Sequence, residues 1–121
     1  MKERMGFAVL LGLTGLVVGC SSPPKNMTPA QILMEARAYS PDDRVDASIR
    51  MAHSYDPKLY FEALTDAMND ESNDVRLTTI RVIPDTHDKR FIAKLQQDLY
   101  VCPIGDKEAV QKALEEMRAQ K

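Results

Sequence analysis

The sequence predicts an all-α domain, a short α-solenoid of about three antiparallel helix pairs, and three observations carry that expectation. From Thr28 onward apolar residues recur at helical spacing, and no segment alternates as a half-buried strand would. Three segments open on a polar oxygen followed by proline, Thr28-Pro29, Ser40-Pro41 and Asp56-Pro57, the N-cap and first-turn chemistry of a helix. The chain also repeats itself at an offset of 31, where "DPKLYFEALTDAM" (56–68) lies over "HDKRFIAKLQQDL" (87–99). Tyr60 then coincides with Phe91, Phe61 with Ile92, Leu64 with Leu95 and Met68 with Leu99. A period of this size is that of stacked helix pairs, because one pair cannot bury both of its apolar faces and a neighbour must cover the second.

The elements follow in order. The first helix is expected over 29–38, where Thr28-Pro29-Ala30-Gln31 has capping-box spacing. The second and third are expected over 41–54 and 57–69, each behind its proline. The fourth, 74–84, starts at Asn73 or Asp74, after the acidic turn "NDESND" (69–74), which lacks the glycine and glutamate of a calcium loop. The fifth, 87–100, starts near Thr86. The sixth, 106–119, starts at Asp106 after "YVCPIG" (100–105) and is apolar only at Ala109, Val110, Ala113, Leu114 and Met117, as a terminal helix with a solvated outer face should be.

Composition narrows the function. The 121 residues carry a formal net charge of −2, with 44% apolar and 28% charged residues. This charge balance gives no footprint for nucleic acid. With no tryptophan and 6% aromatic residues, aliphatic side chains and methionine must build most of the core.

The first residues have a different character. Lys2 and Arg4 precede an uncharged, mostly apolar run, Gly6 to Val18, which is too short to span a bilayer. A basic start followed by a short apolar stretch is the pattern of an export signal. Val17-Val18-Gly19-Cys20 resembles the lipobox of bacterial lipoproteins. That resemblance implies cleavage before Cys20, a diacylglycerol on its thiol, and an acylated new amino terminus. The expected organisation is a signal peptide (1–19), a lipidated cysteine with a flexible tether (20–27) and a helical domain (28–121). Two or three acyl chains hold a protein on a bilayer where one is marginal. Ser21, in a place where aspartate favours inner-membrane retention in this family, implies the outer membrane, facing the periplasm.

The helical part resembles HEAT-type repeats, on "MNDESNDVRLTTIRVI" (68–83) above all. Asp70, Val75, Arg76, Thr79, Val82 and Ile83 fit the family pattern, whose aspartate and arginine often bond between neighbouring repeats. Asp46 is expected where the first pair would need the equivalent of Arg76, which would leave that ladder incomplete.

Candidate chemistry is sparse. Cys102, between Val101 and Pro103, is expected to be a buried, inert thiol. His53 and His87 have no metal-ligand partner at helical spacing, and His87 is expected in a polar turn. Tyr55, Tyr60, Phe61 and Phe91 are expected in the core. Arg50 and Arg81 coincide at the repeat offset and are the expected contacts for a partner bearing carboxylate or phosphate. The reading is a non-catalytic lipoprotein that binds an envelope protein and uses no cofactor or metal. A pilotin-like assembly factor for an outer-membrane component is the alternative, and a lyase of the HEAT-like kind comes third.

Overall fold

The computed structural model describes residues 26–121; Cys20, the lipobox and most of the tether lie outside the described residues. The described chain is all-α. Its helices are α1 (Pro29–Glu35), α2 (Pro41–Ala52), α3 (Phe61–Ala67), α4 (Asn73–Val82), α5 (Arg90–Val101) and α6 (Lys107–Ala119). A 3-10 turn, Pro57–Tyr60, leads into α3; a second, Ile83–Thr86, prolongs α4; a third, Ile104–Asp106, leads into α6. Among the described residues there is no strand, and no helix is long and apolar enough to cross a membrane.

The helix starts use the expected residues unequally. Thr28 makes a complete capping box, its hydroxyl accepting from the Gln31 N–H at 3.2 Å while Gln31 Oε1 accepts from the Thr28 N–H at 2.8 Å. Ser40 precedes α2 without a side-chain cap, and Asp56 heads a 3-10 turn instead of an α-helix. The cap of α4 is Ser72, whose hydroxyl accepts from the Val75 N–H. Thr86 does not open α5. Its hydroxyl donates back to the Ile83 carbonyl, His87 follows in the left-handed region at φ 54°, and the Asp88 carboxylate accepts from the Arg90 N–H instead.

Consecutive helices pack in twos, α1 on α2, α3 on α4 and α5 on α6, while α2 lies against α4 and α4 against α6. The core they enclose is aliphatic, as composition requires: Met51, Leu64, Ile80, Ile83, Leu95, Val110 and Met117 are fully buried around Phe91. Phe61 leans on Phe91 with ring centroids 4.7 Å apart, and the Arg90 guanidinium caps the Phe61 ring at 4.1 Å. Met27 is packed against the core at its edge.

Two periods coexist. In α3 and α5 the offset of 31 holds, since Tyr60 and Phe91, and Leu64 and Leu95, are all buried. In α2 and α4 the buried set repeats at 32: Ala47, Ser48, Met51 and Ala52 match Thr79, Ile80, Ile83 and Pro84. This longer offset corrects the expectation about Asp46. The residue equivalent to Arg76 is Arg44, and Asp46 is exposed. At the same offset Arg50 corresponds to Val82 and Arg81 to Ile49.

Candidate functional site

Two arginine–aspartate bridges tie the helix pairs together. Arg44, on the first turn of α2, holds the Asp70 carboxylate with two parallel bonds, Nε to Oδ2 at 2.9 Å and Nη2 to Oδ1 at 3.0 Å. Its remaining nitrogen, Nη1, donates to the carbonyls of Ala38 and Tyr39, closing the turn before α2. Arg76, on the first turn of α4, repeats this: Nη1 donates to the carbonyls of Asp70 and Glu71, and Nε donates to Asp106 Oδ2 at 2.8 Å. Nη2 of Arg76 also reaches the Asn73 amide oxygen. The planar fork of guanidinium is what allows one side chain to cap a turn and bind an acid in the next unit together. Val75, next to Arg76 in sequence, is fully buried.

The acids of the two bridges differ in their surroundings. Burial would raise the Asp70 carboxyl, but bonds from Arg44 and the Ser72 N–H, with the charges of Arg44 and Arg76, hold it below the ordinary range. Near Asp106 sits a second buried acid, Asp98, 5% exposed, whose Oδ2 has no hydrogen-bond partner. Burial, then the charge of Asp106, push the Asp98 carboxyl upward, against the pull of Arg76. Cys102, half-buried one turn on, has its thiol pushed up by burial and by the Asp98 charge, as suits an unreactive thiol.

The two arginines expected to share a row line different cavities. Arg50 turns to α1, with Nε 3.2 Å from Glu35 Oε1. Glu35, Asp43 and Asp46 bring carboxylate oxygens within 4.8 Å of one another. Burial raises the Glu35 carboxyl, Arg50 lowers it, and Asp46 and Asp43 raise it again. Arg50 is the counter-ion of that acidic cluster. Arg81 is exposed and makes no ion pair among the described residues. It stands on the wall of an open groove of about 440 Å³ between α4 and α6, with Leu77 on its own helix and Glu108, Ala109, Lys112 and Glu116 opposite. Ala109 and Ala113 of α6 line the groove, and no polar pair like Ser48–Thr79 closes it among the described residues.

The aromatic and histidine expectations divide. Tyr60 and Phe91 are buried and Phe61 is half-buried, but Tyr55 is wholly exposed. The helical spacing used to place it in the core does not apply, because α2 ends at Ala52. His87 lies exposed in its turn, while His53, the C-cap of α2, places Nε2 2.7 Å from Asp85 Oδ2. That pairing was not readable from sequence, since the partners are 32 residues apart.

No model of a protein family, no curated protein and no solved structure matches this chain.

Proposed function

We propose that this chain is a lipid-anchored, non-catalytic binding protein of the bacterial envelope. Its helical domain is a short HEAT-like solenoid, and its partner site is the groove between α4 and α6. The single observation that carries the site is Arg81, an exposed cation with no ion-pair partner among the described residues, set on an apolar floor of Leu77 and Ala109. Lys112 adds a second cation across the groove, and Glu108 and Glu116 border it. Such alternation suits a peptide or helix that brings a carboxylate to Arg81 and small apolar side chains to the floor. The Val-Val-Gly-Cys box supports the anchor, with Cys20 as the lipid attachment residue and the outer membrane, facing the periplasm, as its place.

The test is charge reversal. Arg81→Glu, cross-linked in intact envelopes and recovered by affinity tag, should lose its partner while its melting temperature stays that of wild type. Partners retained at wild-type yield would remove the site. A lowered melting temperature would assign Arg81 to the fold.

A further inference from the structure

We infer that the end of the domain around Tyr55 and Leu59 rests on the lipid bilayer, with its side chains in the headgroup region. This inference rests on the proposed anchor at Cys20.

Where the described chain begins is the first support. Asn26 and Met27 line a cavity of about 660 Å³ whose other walls include Ile49, Tyr55 and Leu59. Cys20 stands six residues before Asn26, so even a fully extended chain keeps the acyl groups within about 20 Å of this cavity. The face beside the cavity is thus held close to the membrane by chain length alone.

The chemistry of that face is the second support. Tyr55 is wholly exposed, Leu59 is 61% exposed and Ile49 38% exposed. Tyrosine, with an apolar ring and a polar tip, is suited to the boundary between acyl chains and water. Lys58, next to Leu59, is exposed and makes no ion pair among the described residues, so its stem can lie along the boundary with the ammonium among phosphates. Ile32 and Tyr60 close the floor of the cavity from beneath.

A second exposed apolar group provides the control. Tyr100, Val101 and Ile104 are 87%, 75% and 87% exposed at the end of α5 and the turn after it. They belong to the last helix pair, two helix spacings from α2, on the order of 20 Å. Docking through Tyr55 turns this corner, and the α4–α6 groove beside its helix pair, away from the bilayer.

The chain contains no tryptophan, so a single introduced one reports its own surroundings. Tyr55→Trp, Leu59→Trp and Tyr100→Trp are each expressed as the full chain with labelled palmitate and reconstituted into phosphatidylcholine–phosphatidylglycerol vesicles containing brominated lipid. The expected result is palmitate in all three, blue-shifted and quenched emission at positions 55 and 59, and unshifted, unquenched emission at 100. Palmitate present with emission at 55 and 59 unquenched, or with 100 quenched as strongly, overturns this inference and leaves the anchor standing. Palmitate absent from the chain overturns the anchor, and the inference with it.

Discussion

The contact between α2 and α4 is bridged by side chains at both ends and in its middle, whereas the contact between α4 and α6 is bridged at its two ends and open between them. In the first, Arg44–Asp70 stands at one end, the Ser48 and Thr79 hydroxyls meet at 2.8 Å in the buried middle, and His53–Asp85 stands at the other end. Thr79 spends its proton on the Val75 carbonyl at 2.7 Å, so Ser48 is the donor between them. In the second contact Arg76–Asp106 repeats the first bridge and the Gln120 side-chain amide donates to the Pro84 carbonyl at 2.7 Å at the far end, with the groove beside Arg81 between them. One sequence device therefore serves two ends. With the Ser48–Thr79 bond in its middle the contact is a closed joint, and without a bond there it holds a cleft. The second joint also carries one acid too many, since Arg76 faces both Asp106 and the unpartnered Asp98.

The largest expected effect follows from that excess. Arg76→Ala removes the guanidinium beside two buried carboxyls and uncaps the carbonyls of Asp70 and Glu71. Stranding buried charge in this way costs about 3–5 kcal/mol. Arg44→Ala should cost less, because Asp70 keeps the Ser72 N–H and the nearby charge of Arg76. Urea unfolding of the two variants beside wild type checks the order; an equal or greater loss in Arg44→Ala would show that the excess acid Asp98 does not make the second joint depend more on its arginine.

Asp98 gives a smaller effect with a pH signature. Asp98→Asn removes a buried charge that repels Asp106, and should raise stability at pH 7 by about 1–2 kcal/mol, the cost of an unsatisfied buried group. The folded Asp98 carboxyl titrates above its unfolded value of about 3.9. Its destabilising contribution is complete above the folded value and disappears as pH falls through it, so the wild-type chain gains stability on acidification. Glu35, also raised by burial, adds to this gain. Below about pH 4 the sign reverses. The Arg90 bond holds the Asp88 carboxyl low, and Asp70 is likewise held low against burial, so their stabilisation is lost as they protonate. Urea midpoints measured from neutral pH to pH 3 should show a rise and then a fall for wild type, with the rise reduced in Asp98→Asn. An undiminished rise would place the titrating group elsewhere.

Much of the fold was legible because its signals are local. The proline-led starts and the apolar spacing placed all six helices within a few residues, and the offset of 31 paired Leu64 with Leu95, both fully buried. What sequence missed lies in tertiary geometry. A 3-10 turn after α4 and the left-handed His87 shift the register between the two kinds of helix by one residue. That single residue separates Arg50 from Arg81, and hides Arg44 as the counterpart of Arg76. Asp98 was invisible for another reason. Its burial comes from the neighbouring helix pair, and an aspartate near the end of a helix reads in sequence as a solvated one.

The smallest effect belongs to the exposed end of the bridged contact. His53 and Asp85 are each 51% exposed, so water and salt compete for both groups although they lie 2.7 Å apart. Exposed pairs of this kind contribute a few tenths of a kcal/mol. His53 is also the C-cap of α2, where a cation interacts favourably with the helix dipole, so His53→Ala removes a second small interaction that Asp85→Ala leaves in place. A double-mutant cycle of the two substitutions cancels that difference and isolates the pair. The coupling should be below about 0.5 kcal/mol and should weaken in 1 M salt, where ions and water compete for both half-exposed groups. The same cycle on Arg44 and Asp70, whose side chains are 12% and 15% exposed, should keep most of its coupling in that salt, because two parallel bonds do not depend on long-range charge. If the His53–Asp85 coupling exceeded 1 kcal/mol and survived salt, the joint would be held from its exposed end, and the contrast between the bridged contact and the open one would rest on that pair instead of on the arginines.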